Sequence, residues 1–145
     1  MKKISLPLAL TMGDPSGVGP EIIVKSTHKL NFINYIVFGD PLIFQETIDL
    51  VGLPTKINCI KSLSEANFKK NTLNLIATSD FKSKPKFGVV SKECGLASYS
   101  AIIESIKLAK EKKIAGIVTA PINKKALDKA NIKFPGHTEI FSSFS

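Results

Sequence analysis

Hydrophobic and polar positions alternate between two periods along the chain. Short β-rich apolar runs stand at residues 6–12, 35–39, 56–60, 73–78 and 114–119, and the first two lead into stretches whose apolar residues recur at helical spacing. The first of these begins at Pro20, where a missing amide hydrogen costs nothing, and carries Ile22, Ile23, Thr27 and Leu30 on one face. The second opens at Asp40-Pro41, keeps Leu42, Ile43, Glu46 and Leu50 in phase, and closes near Gly52. Residues 62–70 offer only Leu63, Ala66 and Phe68 for burial, which predicts a short helix or a loop. Residues 78–92, with Pro85, Gly88 and four lysines, predict the longest irregular connection. From 93 to 113 comes the strongest helical pattern, with Leu96, Tyr99, Ile102, Ile103, Ile106 and Ala109 on one face and Ser91 placed as N-cap. Residues 114–119 then read as a buried strand, 125–131 as a helix, and Gly136-His137-Thr138-Glu139 as the start of another.

Strands alternating with helical connections of this length predict an α/β fold, a mostly parallel sheet with helices on both faces. At 145 residues, 43% hydrophobic and 22% charged, the chain has the composition of one modest globular domain, with no internal repeat, low-complexity tract or clear linker. No apolar run approaches the ~18 residues needed to cross a bilayer, and Met1-Lys2-Lys3 leads into a strand-like run without a small-residue cleavage site. A cytoplasmic protein with no membrane partner is expected. Cys59 and Cys94 lack metal or redox spacing, which predicts two buried or half-buried thiols. The formal charge is +8, yet all 20 basic residues are lysines, and the absence of arginine, the usual fork for phosphate and guanine, argues against a nucleic-acid partner. Most of the excess lies after residue 80, an asymmetry that suits an anionic substrate and equally suits a solvated lysine-rich surface.

Candidate chemistry gathers at three strand-to-helix turns. Gly13-Asp14-Pro15-Ser16-Gly17-Val18-Gly19-Pro20-Glu21 joins the first strand to the first helix, and its glycines at 13, 17 and 19 supply special conformations or close backbone approach. Helix-start N–H groups there would face the carboxyl end of the sheet, where open α/β folds bind ligands, so Asp14, Gly17 and Gly19 are candidates for lining a cleft. The spacing is not the dinucleotide fingerprint, because Ile22 stands where a third glycine or alanine belongs, and no Gly-Lys-Ser/Thr follows to make a phosphate loop. The second turn, Thr119-Ala120-Pro121-Ile122-Asn123-Lys124, leaves the last strand and brings Asn123 and Lys124 to the same sheet edge. A lysine there can hold a phosphate or carboxylate, or remain one of many surface lysines. In the third, His137 and Thr138 set an imidazole beside a hydroxyl, a pair able to bind an anionic or hydroxylated ligand or simply to cap and pack.

The sequence resembles the 4-hydroxythreonine-4-phosphate dehydrogenases. Four motifs match in order over the whole chain: Gly13 to Glu21, then Gly88/Ser91/Gly95, then Thr119 to Lys124, and Gly136 to Glu139, the last being the most specific. The opening is similar, more distantly, to that of isopropylmalate and isocitrate dehydrogenases. The resemblance implies an isocitrate/isopropylmalate dehydrogenase-like sheet and an NAD-dependent oxidation of the secondary alcohol of 4-phosphooxy-L-threonine. Loss of carbon dioxide follows, giving 3-amino-2-oxopropyl phosphate on the way to pyridoxal phosphate. A divalent metal (zinc, magnesium or cobalt) would polarise the alcohol oxygen and the enolate that follows. It also implies a cytoplasmic homodimer, and it assigns substrate contacts to His137 and Thr138; Asp14, Gly17, Gly19, Asn123 and Lys124 are expected to line the cleft, and no catalytic residue is assigned.

The departures are as informative. Members of that family are more than twice as long and take their metal from three histidines beyond the Gly-His-Thr-Glu motif, whereas this chain holds only His28 and His137. His28, off the apolar face of the first helix, is expected to be solvated. No metal site is expected within the chain, and the fold is expected to be incomplete. Residues 1–120 would form the amino-terminal part of the first α/β domain and 121–145 the start of the segment leading toward the second. Two classes of function follow: a piece of the dehydrogenase, inactive alone and prone to association, or a non-catalytic truncated product. A related dehydrogenase of another phosphorylated hydroxy acid, such as a phospho-threonate, is the remaining alternative.

Overall fold

The computed structural model describes residues 5–30 and 32–145; the Met1-Lys2-Lys3 opening lies outside them. Five strands, β1 (Leu8–Thr11), β2 (Tyr35–Gly39), β3 (Lys56–Cys59), β4 (Thr72–Ala77) and β5 (Gly116–Thr119), form one sheet in the order β3-β4-β2-β1-β5. Every pairing is parallel, with Leu8 opposite both Tyr35 and Gly116. The helices are α1 (Gly19–Lys29), α2 (Pro41–Val51), α3 (Lys92–Lys110), α4 (Lys124–Lys129) and α5 (His137–Ser143), with a short 3-10 turn at Leu63–Glu65.

The strand period of two sorts the core into two layers. Val37, Leu73 and Leu75 pack with Ile23 and Val24 of α1 and with Ile43, Phe44 and Ile48 of α2 on one face. Ile36, Phe38 and Ala9 meet Ala101 of α3 on the other. A third cluster joins Ile102 and Ile106 of α3 to Ile140 of α5. Caps bound the helices as the sequence predicts: Asp40 accepts from the Leu42 and Ile43 amides, Ser91 accepts from Cys94, and Gly52 closes α2 at φ 71°.

Several expectations are corrected. Residues 114–119 are expected to form a buried strand, but β5 is a half-buried edge strand of four residues, paired with β1, and Val118 is 50% exposed. On α3 the buried face carries the small residues Gly95, Ala97, Ser98 and Ala101, which allow close approach, while Leu96 turns outward. On α1 the buried face is Pro20, Ile23, Val24 and Thr27, so Ile22 and Leu30 lie outside it. His28 is half-buried with Nδ1 shielded from solvent, since the last turn of α1 lies against the start of β2 and β4. Cys94 is buried, but Cys59 is exposed at the end of the other edge strand.

Candidate functional site

β1 and β5 are neighbours whose outgoing connections diverge. The first leads to α1, whose apolar residues lie on one face of the sheet, and the second to α4, which packs near Gly95 of α3 on the other. That divergence makes a crevice outside the carboxyl ends of the two strands, the place where open parallel sheets take ligands. All three candidate turns lie there or beside it.

The Gly13–Glu21 turn is anchored on three sides. Asp14 N donates to Pro121 O at 2.9 Å, Gly88 N donates to Ser16 O at 2.8 Å, and the Ser98 hydroxyl donates to Gly13 O at 2.9 Å. Gly13 has φ 72°, and a Cβ there would also overlap the Pro121 carbonyl, so glycine is required twice over. At Gly19 a Cβ would overlap the Met12 carbonyl, which explains how α1 starts tight against the end of β1. Gly17 has neither constraint; its φ is not left-handed and its nearest neighbours are atoms of Asp14 at ordinary distances. Asp14 is 7% exposed, and its Oδ1 accepts from Ser16 N and Ser16 Oγ, both at 2.9 Å, so the carboxylate shapes the turn from inside.

The second and third turns meet. Asn123 caps α4 by accepting from the Ala126 amide at 3.2 Å, and from there the exposed Lys124 side chain reaches toward Gly136, its Cε 4.0 Å from the position a Cβ would take. Glu139 Oε2 lies 3.5 Å from the same position, so an ammonium and a carboxylate flank the glycine just ahead of His137. Thr138 is exposed. His137 is half-buried, stacks on Phe141 with centroids 6.5 Å apart, and has a shielded Nε2 without a partner among the described residues. Burial pushes its imidazole below the ordinary histidine value, which keeps the ring neutral near pH 7.

Other functional-looking groups resolve into architecture. Gly88 (φ 71°), Ser91 and Gly95 hold a turn, a cap and a helix contact, since a Cβ at Gly95 would overlap the Ala126 carbonyl. Burial, reinforced by the nearby Asp14 charge, pushes the Cys94 thiol up and leaves it protonated. Two buried residues with tertiary roles were not visible from sequence. Asp40, besides capping α2, receives Ser79 Oγ at 3.0 Å and Phe81 N at 2.9 Å, and so ties down the irregular 78–92 connection. Ser98 reads as one small residue in an amphipathic helix, yet it contacts a residue 85 positions away.

Among the described residues no three His, Cys, Asp or Glu side chains gather as a metal site, and no helix is long and apolar enough to cross a membrane. The donors present do not fit a divalent metal: His28 sits on the last turn of α1 against the starts of β2 and β4, His137 sits at the start of α5 stacked on Phe141, and neither belongs to a group of three possible ligands among the described residues. The Gly-rich turn does not offer a pyrophosphate cradle either, because the space at Gly13 and Gly19 is filled by the protein's own carbonyls.

The chain is 46% identical over 143 residues to a 4-hydroxythreonine-4-phosphate dehydrogenase of Beijerinckia indica, a match covering 98% of this chain and 42% of that protein. It is 36% identical to a Fusobacterium nucleatum protein provisionally assigned as a D-threonate 4-phosphate dehydrogenase, over 95% of this chain and 43% of the relative. The crystal structure of a 4-hydroxythreonine-4-phosphate dehydrogenase from Burkholderia phymatum superposes with a TM-score of 0.93 at 34% identity, covering 98% of this chain and 44% of that one. The chain thus spans less than half the length of these relatives. Residues 31–145 match the family model described as pyridoxal phosphate biosynthetic protein PdxA, and the chain belongs to that family.

Proposed function

We propose that this chain supplies the phosphate-recognising wall of a dehydrogenase site for a phosphorylated hydroxy acid, with 4-phosphooxy-L-threonine as the substrate. The observation that carries the reading is the convergence of Lys124 with the Gly136-His137-Thr138 turn beside the crevice between β1 and β5. Lys124 contributes a mobile positive charge, Thr138 an exposed hydroxyl, and His137 a neutral imidazole that takes up a proton when a dianion sits beside it. Asp14, Gly19 and Asn123 act behind them, holding the two turns in place, and Gly17, which has no packing constraint, lines the cleft with its backbone. NAD would accept the hydride and a divalent metal would polarise the substrate oxygens, both held by parts of the family fold outside this chain. On this reading residues 1–145 alone bind the phosphate end weakly, release no carbon dioxide and reduce no NAD. A family homodimer completes the site, and residues 121–145 lead toward a second domain. A D-threonate 4-phosphate substrate is the alternative favoured by the Fusobacterium relative, and it presents the same phosphate to the same wall.

Titration of the 15N-labelled chain with 4-phosphooxy-threonine tests this. Amide shifts should concentrate at residues 13–19, 124 and 136–139, and His137→Ala or Thr138→Val should each weaken binding roughly ten- to a hundredfold, the worth of about 1.5–3 kcal/mol for a hydrogen bond to a charged group. Calorimetry in buffers of different ionisation enthalpy should show proton uptake that His137→Ala abolishes. No shifts at millimolar ligand, or shifts centred elsewhere, would remove the assignment.

A further inference from the structure

The peptide unit between Gly13 and Asp14 is gripped at both ends. Its N–H donates to Pro121 O at 2.9 Å, from the connection that leads to Lys124. Its carbonyl has one donor among the described residues, the hydroxyl of Ser98 on α3, at 2.9 Å. Ser98 is 1% exposed, and its Oγ also lies 2.8 Å from the Cys94 carbonyl oxygen one helical turn back, an oxygen that the helix ladder already serves. The Gly13 carbonyl has no such alternative. With no Cβ on Gly13, which stands at φ 72°, side-chain bulk does not choose the orientation of the peptide unit that follows, and its hydrogen bonds do. Three residues earlier on the same face of α3, Gly95 lies directly against the Ala126 carbonyl of α4, the helix that begins with Lys124. One face of α3 therefore gauges both walls of the crevice, at Gly95 by contact and at Ser98 by a directed hydrogen bond.

We propose that Ser98 is a positioning residue: its hydroxyl fixes the orientation of the Gly13–Asp14 peptide and thereby sets the Gly-rich turn against the wall that carries Lys124 and His137. The inference rests on the proposed phosphate site for its consequence, but the lock itself can be read without a ligand. In the 145-residue chain, Ser98→Ala should speed amide exchange at Asp14 and Gly17 by about tenfold or more while exchange at Val37 and Leu75 in the central strands keeps its wild-type rate. Ser98→Thr, which keeps the hydroxyl, should restore protection. Ser98→Cys, similar in size but a poor donor, should behave like alanine, and it covers the case in which the alanine variant does not fold. Uniform acceleration across the core, or none at the turn, would overturn the proposal. Affinity for 4-phosphooxy-threonine should then fall several-fold in Ser98→Ala and Ser98→Cys and recover in Ser98→Thr. A loosened turn with wild-type affinity would also overturn it, leaving Ser98 a structural residue only. If the wild-type chain binds no phosphorylated ligand, the functional reading fails on that titration, and the exchange measurements still decide whether Ser98 sets the turn.

Discussion

The two edges of the sheet are finished in different ways. At β3 the chain closes itself with side-chain amides: Asn74, 1% exposed, accepts from Asn58 Nδ2 at 2.9 Å and from Asn67 N at 2.8 Å, and its own amide donates to Asn67 O at 3.0 Å. Lys56 opens that strand and Glu65 Oε2 receives the Lys61 amide just beyond it, so the edge is polar and tied down. At β5 the strand is Gly-Ile-Val-Thr without a charge, Val118 is half-exposed, and the neighbouring packing relies on backbone contacts at Gly13, Gly19 and Gly95. The β3 edge is guarded by charge and side-chain ties, and the β5 edge, on whose side the candidate turns lie, is bare.

The largest effects should come from the glycine contacts on the β5 side. Gly95→Ala puts a methyl group into the Ala126 carbonyl, and since backbone cannot yield as a side-chain tip can, α4 must shift bodily. A loss of about 3 kcal/mol or more is expected, above the usual range for overpacking by one methyl. Chemical denaturation measures it, and a cost under about 1 kcal/mol would show that α4 floats on α3 instead of being set by it. On the β3 side the comparable test is Asn74→Ala, which leaves the Asn67 N–H and carbonyl without their Asn74 partners and the Asn58 amide with Glu65 O alone, and should cost roughly 2–3 kcal/mol. If that variant matched wild type, the amide network would be ornamental and the β3 edge no better tied down than β5.

These tests bear on what the sequence could disclose. Strand positions and helix caps were legible, because Asp40-Pro41, Ser91 and Gly52 act on their own neighbours, and short-range chemistry is written in short-range order. The family likeness carried by the four motifs was legible too, and the family model over residues 31–145 with the 143-residue match to the Beijerinckia relative bears that likeness out. Long-range roles were not. Nothing in Leu96-Ala97-Ser98-Tyr99 signals that Ser98 faces Gly13, and a helical wheel that ranks residues by bulk turns Leu96 inward, when close packing against the sheet and α4 selects the small residues. The half-exposure of β5 escaped for a related reason: an apolar run looks buried until its neighbours are counted.

A smaller effect should follow from pH. Burial holds the His137 imidazole below its unfolded value, so the unfolded chain binds the proton first as the solution is acidified. Stability contributed by the neutral ring is therefore present above the unfolded pKa of about 6.5 and is lost as pH falls through it toward the folded value, by at most about 1.4 kcal/mol per pH unit. The difference in unfolding free energy between wild type and His137→Gln should be flat above neutrality and shrink below pH 6.5. A flat difference throughout would mean that the ring titrates freely.

The smallest change in stability is expected where the contrast between the edges is most direct. Val118→Lys places a charge on the outward side of β5 at a position already 50% exposed, and Cys59→Lys does the same at the exposed end of β3. Neither should alter the unfolding free energy by more than about 0.5 kcal/mol, the ordinary range for surface substitutions. Association should separate them. A bare, uncharged edge is a template for a further strand, so the wild-type chain should self-associate at concentrations where a protein with guarded edges stays monomeric, and a lysine on the bare edge should suppress this. The lysine at Cys59 adds the same charge to the chain, so it controls for a general gain in repulsion. Sedimentation velocity on the three proteins under reducing conditions reads the outcome: Val118→Lys alone shifts toward monomer. Equal suppression by both variants would trace association to net charge. A strictly monomeric wild-type chain would show that β5 is shielded by its own flanking residues, and the distinction between a guarded and a bare edge would then fall.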